Sequence, residues 1–307
     1  MTHMTKKPIV RLHAGTHKSG STSIQSALTA AADHLPEDGF YYSRTRDIQH
    51  SYIAISLHNG NIDQFNMFMD EIIREWSEFP GTDLIISGEE FYTLPIESMR
   101  VFRSYLSDFD VSVVIYFRNY YKWLISQFKY QLIFSDDCIG WRGLDGIPPI
   151  YPDIVIENLT AVFGFDMVSV RCTEAVPDVV EDFSKQLGIK RLSDQGGRLN
   201  RSIDTYIGLL LDRATGTLAP EEKARIAEIF ETFPQLSDYG IFDNLLISSL
   251  TKPIPSHNHP KFTEWRTLLT VAPYFDSPGR VNSPEEYLIN ISKFFGAVAE
   301  IFRTTSR

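Results

Sequence analysis

The run VSVVIYF, residues 111–117, has almost no polar side chain to turn toward water. A strand with two apolar faces has to be covered on both, which is the situation of a strand inside a parallel sheet flanked by helices. Shorter runs of the same kind recur: PIVRLHA at 8–14, GFYYSR at 39–44, DLIISGEEF at 83–91 and DMVSVRC at 166–172. Between them lie segments with helical spacing. In DQFNMFMDEIIREW, Phe65, Phe68, Met69, Ile72 and Ile73 share one face. TSIQSALTAAADHL, SMRVFRSYL, YKWLISQFKYQL, IVIENLTAVFG and AVPDVVEDFSKQLGI also read as helices, the last capped by Gly188. Strand and helix alternate, so the expected class is α/β, a central parallel sheet with helices on both faces.

A length of 307 residues, 43% hydrophobic, suits a single domain. We expect one domain over 1–307, with a core at about 8–205 and a helical portion at about 206–307. The stretch SDQGGRLNRS near 195 is a possible boundary. The net charge of −10 argues against a nucleic-acid partner. Two cysteines, Cys138 and Cys172, lie too far apart in sequence to suggest a zinc site or a disulfide framework. No apolar run reaches the roughly 20 residues of a membrane span. Lys6 and Lys7 lead directly into the first strand, so no secretory leader is expected and a cytoplasmic setting is the default.

The strand PIVRLHA is followed by GTHKSGSTS and then by an alanine-rich helix. Strand, glycine loop and helix together aim backbone N–H groups and a helix N-terminus at an anion. Gly15 and Gly20 permit close backbone approach, Lys18 adds a point charge, and Ser19, Ser21, Thr22 and Ser23 add hydroxyls. A Ser/Thr cluster before a helix is also ordinary capping chemistry. In the usual triphosphate loop the lysine follows the second glycine and precedes a magnesium-binding hydroxyl. Here Lys18 precedes Gly20. Phosphate is therefore expected, and magnesium-ATP is not the first expectation.

The stretch GTHKSGSTSIQ resembles the 5′-phosphosulfate loop of sulfotransferases, above all the bacterial group with the pattern G-T-x-K-[ST]-G-[ST]-[ST]-[ST]-[LI]-Q. The resemblance covers about residues 8–205. It implies a P-loop-like fold, 3′-phosphoadenosine 5′-phosphosulfate (PAPS) as co-substrate with 3′,5′-ADP as product, and no metal. Gly15, Thr16, His17, Lys18, Ser19, Gly20, Ser21, Thr22 and Ser23 would then form the 5′ site. The loop lysine would lie against the oxygen bridging phosphate and sulfate. The family's second anchor is an arginine ending a central strand, with a serine eight residues on. Arg118 and Ser126 have that spacing, and an arginine fork suits a terminal phosphate. GGRLNRS resembles a further cofactor segment and offers Arg198 and Ser202.

Sulfuryl transfer to a hydroxyl calls for a general base. Glu89 falls where the bacterial relatives carry the sequence SSE, although Gly88 replaces the second serine. If the strand stayed extended, Glu89 and Glu90 would point opposite ways and only one would face the site. Helix-start carboxylates are the plainer alternative for this pair. His50 is the second candidate base, while His13 and His17 read as packed beside the first strand. His257 and His259 lack the acidic or thiol neighbours of a metal site. Aromatics at 40–42 and Trp141–Arg142 fall where the family lines its acceptor pocket. The expected acceptor is a hydroxyl or amine of a carbohydrate, lipid or small molecule, with no stable membrane insertion. A P-loop kinase or NTPase is the alternative enzyme, and a non-catalytic nucleotide-binding protein of the same fold is the alternative binder.

Overall fold

The computed structural model describes residues 8–134, 150–190 and 192. These fall into two compact units: 8–119, 151–190 and 192 in the first, 120–134 and 150 in the second. In the first unit, five strands form one parallel sheet: β1 Ile9–Ala14, β2 Phe40–Tyr42, β3 Asp83–Gly88, β4 Asp110–Phe117 and β5 Val168–Cys172. Their order is β2-β3-β1-β4-β5. Helices α1 Ser21–Ala31, α2 Ser51–His58, α3 Ile62–Trp76 and α4 Ile96–Tyr105 connect the strands up to β4. After α5 Tyr120–Phe134, α6 Pro152–Phe163 leads into β5, and α7 Val179–Leu187 follows it. This is a P-loop-like α/β fold, with the glycine loop between the central strand and α1.

Alternation along the strands explains why the helices cover both faces. Ile85, Val114 and Tyr116 join Ile24, Leu28, Val180 and Phe183 in one buried cluster with α1 and α7. The intervening residues Leu84, Ile86, Val113 and Ile115 are equally buried and face the other way. Contacts of α6 with β4, β5 and α4 close that second face. There Phe102 of α4 packs edge-on against Phe65 and Phe91. Arg11, on β1, is neutralised by Asp83 of β3 at 2.9 Å. Gly188 ends α7 in the left-handed conformation, its N–H donating to Ser184 O at 2.9 Å.

Register brings the carboxyl ends of three strands to one edge. Ala14 pairs with Gly88 of β3, and His13 with Val114 of β4. The residues that leave β1, β3 and β4 therefore emerge side by side, at the edge where open α/β sheets bind ligands. Among the described residues no helix is long and apolar enough to cross a membrane. Cys172 is buried, and burial pushes its thiol up to about 12, so it stays protonated. Cys138, Trp141, Arg142, Arg198, Ser202, His257 and His259 lie outside the described residues, as does the helical portion expected beyond 206.

Candidate functional site

The loop Gly15–Gly20 is shaped by contacts that leave no room for larger residues at its glycines. A Cβ at Gly15 would sit 2.1 Å from Ser21 Oγ and 3.1 Å from His13 Cε1. Gly20 has φ +89°, and a Cβ there would meet Val179 Cγ2 of α7 at 2.8 Å. Lys18 has φ 61°, the only positive value at a non-glycine among the described residues. A left-handed lysine costs roughly 1–2 kcal/mol and persists only where its surroundings enforce it.

Those surroundings are on hand. The Thr16 hydroxyl donates to Tyr116 O of β4 at 2.8 Å. Ser19 N–H and its hydroxyl both donate to Thr16 O, at 3.3 and 2.6 Å, and the Ser21 hydroxyl reaches the same oxygen at 3.3 Å. Thr16, Ser19 and Ser21 are each 1% exposed. Their hydroxyls fold the loop; they do not cap α1, whose N-cap is Gly20 with no side-chain hydrogen bond. Thr22 and Ser23 are half-buried at the helix start. The N–H groups of Ser21 and Thr22 occupy the first two helical positions, where no intrahelical acceptor exists.

Arg118 follows β4 directly, and its Nη1 donates to Lys18 O at 3.2 Å. The two cations, a hundred residues apart in sequence, thus stand together at the edge of the sheet. Burial, and after it the Arg118 charge, lower the Lys18 ammonium, while Glu89 opposes that shift. Glu174, just past β5, accepts from Asn119 N–H at 2.6 Å and from the Thr173 hydroxyl at 2.9 Å. Its other oxygen forms an ion pair with Arg118 Nε at 3.9 Å. Ser126 is placed on α5, in the second unit.

The two glutamates depart from the sequence expectation that only one would face the site. The chain leaves the pleat at Gly88 and winds into a 3₁₀ turn over Glu89–Thr93, so strand alternation no longer separates their side chains. Both converge on His17. Its Nδ1 lies 2.7 Å from Glu89 Oε2 and its Nε2 3.2 Å from Glu90 Oε1. Hydrogen bonds to the two carboxylates raise the imidazole to about 9, and His17 in turn lowers Glu90. His17 is thus an imidazolium at neutral pH, not a bystander packed beside β1.

His50 does not serve as a base in this arrangement. It is 0% exposed, and burial pulls its ring down to about 4. Its Nδ1 accepts from Ser87 N–H at 3.1 Å, so the proton resides on Nε2, which donates to Ser43 O at 3.1 Å. His50 N–H also donates to Ser87 O at 2.6 Å, which makes the residue a tether between the start of α2 and the end of β3. The same packing explains Gly88: a Cβ there would lie 2.9 Å from Ser51 N. Ser51 Oγ instead accepts from Glu89 N–H at 3.0 Å. His13 is as enclosed as expected, held by Ser87 Oγ at 2.8 Å and lowered to about 3 by burial.

Phe40 and Tyr42 are core residues of β2 rather than loop aromatics. Tyr41 stacks on Phe79 at 4.7 Å and lines, with Arg44, Thr45 and Glu75, a cleft of about 510 Å³.

Comparison with known proteins gave no match to any family model and none to a curated protein. Three solved structures share features with the chain. A sulfotransferase from Alicyclobacillus acidocaldarius is 15% identical, with 64% of this chain and 87% of that one covered, at a TM-score of 0.40. A structure from the PezAT chromosomal toxin–antitoxin system of Streptococcus pneumoniae is 9% identical over 69% and 85%, at 0.28. Retinol dehydratase in complex with androsterone and the inactive cofactor PAP is 14% identical over 90% and 83%, at 0.23.

Proposed function

We propose that the chain is a PAPS-dependent sulfotransferase that moves a sulfuryl group to a hydroxyl or amine of a carbohydrate, lipid or small-molecule acceptor. What supports the reading above all is one placement: the Arg118 guanidinium, at the end of β4, donates to the backbone carbonyl of Lys18 in the glycine loop at 3.2 Å. Two cations at a strand-end edge, beside a helix start whose first N–H groups have no intrahelical acceptor, suit a ligand with two separate phosphate-type groups. At both loop glycines a Cβ would run into side chains, Ser21 at Gly15 and Val179 at Gly20, so the loop keeps bare backbone at these two positions. The residues beneath PAPS would be the loop amides and Lys18 for the 5′ group and Arg118 for the 3′-phosphate.

PAPS, when bound, supplies an activated sulfuryl group on a phosphate leaving group. The protein's share is positioning and charge. Lys18 stabilises charge as it gathers on the leaving phosphate. Glu89, one oxygen held by His17, takes the acceptor's proton on the other, while the acceptor oxygen bonds sulfur and the sulfur–phosphate oxygen bond breaks.

The test is a melting series of the full chain with 3′,5′-ADP without metal, PAPS, and magnesium-ATP. At 100 times the dissociation constant a ligand stabilises by about 2.7 kcal/mol. A rise with metal-free 3′,5′-ADP is expected. No change there, with a clear rise under magnesium-ATP, overturns the reading in favour of a kinase or NTPase. PAPS binding without turnover on any acceptor would leave a nucleotide-binding protein.

A further inference from the structure

Both ring nitrogens of His17 face carboxylates, at 2.7 and 3.2 Å. A ring that donates from both nitrogens carries two protons and a positive charge. The next residue is the left-handed Lys18, so this contact lies at the most strained point of the loop. On the other side of Lys18, its carbonyl accepts from Arg118. Without His17, the two carboxylates would lose their hydrogen-bonded positive partner next to an anion-binding loop.

We propose that His17 is a positioning residue of the site, clamping Glu89 and Glu90 to the glycine loop and cancelling their charge where the loop holds its anion. The proposal rests on the sulfotransferase reading for the identity of that anion. The clamp has consequences on both sides. Toward the acceptor it fixes Glu89 Oε2 and so orients Oε1. Toward the loop it ties the backbone before Lys18 to the end of β3. The other titratable groups around the clamp are Tyr92, whose ring meets His17 edge-on at 5.7 Å, Lys18, which interacts with Glu89 and Arg118, and His58, which acts on Glu90 from the end of α2. Glu90 is further held by the Thr93 hydroxyl at 3.4 Å. The two carboxylates hold the ring in its imidazolium form.

The experiment has two arms on the full chain. Histidine-selective NMR titration of the wild type follows all eight rings, and the resonance missing from His17→Gln assigns His17. That ring is expected to titrate near pH 9, and near the ordinary value of about 6.5 in Glu89→Gln/Glu90→Gln. Calorimetry then measures 3′,5′-ADP at pH 7. His17→Gln is expected to bind about tenfold more weakly, equivalent to roughly 1.4 kcal/mol, and His17→Gln/Glu89→Gln/Glu90→Gln to regain that tenfold. A wild-type His17 that titrates near 6.5 overturns the clamp, and this measurement needs no variant to fold. A loss that persists in the triple variant, or no loss in His17→Gln, overturns the charge-cancelling role. If the wild type does not bind 3′,5′-ADP at all, the sulfotransferase reading falls instead, and the titration alone decides the clamp.

Discussion

Replacing Gly15 by alanine tests the loop directly, because two general effects give it opposite signs. Gly15 is not in the left-handed region, and a Gly→Ala change at such a site ordinarily stabilises by about 0.4–1 kcal/mol through the unfolded chain. Here the new Cβ would lie 2.1 Å from Ser21 Oγ and 2.9 Å from Ser21 Cβ. Neither neighbour yields cheaply. Ser21 opens α1 and its hydroxyl is bonded to Thr16 O, while His13 is enclosed on β1. Relief requires a shift of roughly 1 Å at the helix start, and overpacking of this kind costs about 1–3 kcal/mol. We expect the contact to win. The melting temperature should drop by roughly 3–10 °C, and 3′,5′-ADP should bind more than about tenfold more weakly, since the amides of Ser21 and Thr22 move with the helix. Differential scanning calorimetry on Gly15→Ala, Ser21→Gly and the double variant forms a cycle. Alanine should cost less in the Ser21→Gly background, which lacks the clashing side chain. A Gly15→Ala protein that melts at or above the wild type refutes the packing argument.

Arg118→Ala should weaken 3′,5′-ADP by roughly ten- to hundredfold, the value of a charge-assisted contact of about 1.5–3 kcal/mol. It should also erase the preference over 5′-adenylyl sulfate, which lacks the 3′-phosphate; equal discrimination by wild type and variant would remove Arg118 from that role. Glu89→Gln should keep PAPS affinity in calorimetry and lose about 10²–10⁴ in turnover, whereas Lys18→Ala should lose both; abolished PAPS binding in Glu89→Gln would sink the base assignment. Stability should fall on both sides of neutrality, for opposite reasons. His13 and His50 are depressed to about 3 and 4, so their contribution is complete above about 6.5 and lost below it, at up to about 2.7 kcal/mol per pH unit for the two together. His17 is raised to about 9, so its contribution is complete below about 6.5 and lost as pH rises through 9; with the ring 33% exposed, screening leaves roughly 1 kcal/mol. Urea midpoints at pH 5, 7 and 10 check both limbs, and His13 or His50 rings that titrate between pH 6 and 7 would contradict the acid one.

The sheet was legible because its strands obey a single local rule. VSVVIYF and DLIISG are apolar on both faces, and β4 and β3 are buried on both. The helix over 51–58 was not, for an equally local reason. In SYIAISLH the apolar residues Ile53, Ile55 and Leu57 alternate with period two, yet the segment is α2 and Ile55 is left 47% exposed. The loop itself was readable as an anion-binding turn, since glycines, lysine and hydroxyls cluster within nine residues. The work of individual hydroxyls was not, because whether Ser19 points out or back onto Thr16 O depends on a backbone fold that no local pattern encodes. The base region shows the limit most clearly. Glu89 and Glu90 share a target only because a 3₁₀ turn replaces the pleat, and that target lies 72 residues away. His50 resembled a base in sequence because residue type carries no information about burial.

The site's electrostatics follow from how these long-range pairs are matched. Lys18, Arg118 and His17 bring three positive charges to one edge, and Glu89, Glu90 and Glu174 bring three negative ones. With the chain as a whole at −10, no distant positive field draws an anion in, and surface charges beyond about 8–10 Å are screened at physiological salt. Affinity for a phosphate-type ligand therefore has to arise locally, from the backbone dipoles of the loop and from the cations beside it. Glu174 is occupied by Asn119 N–H and Thr173, and both glutamates after β3 by His17.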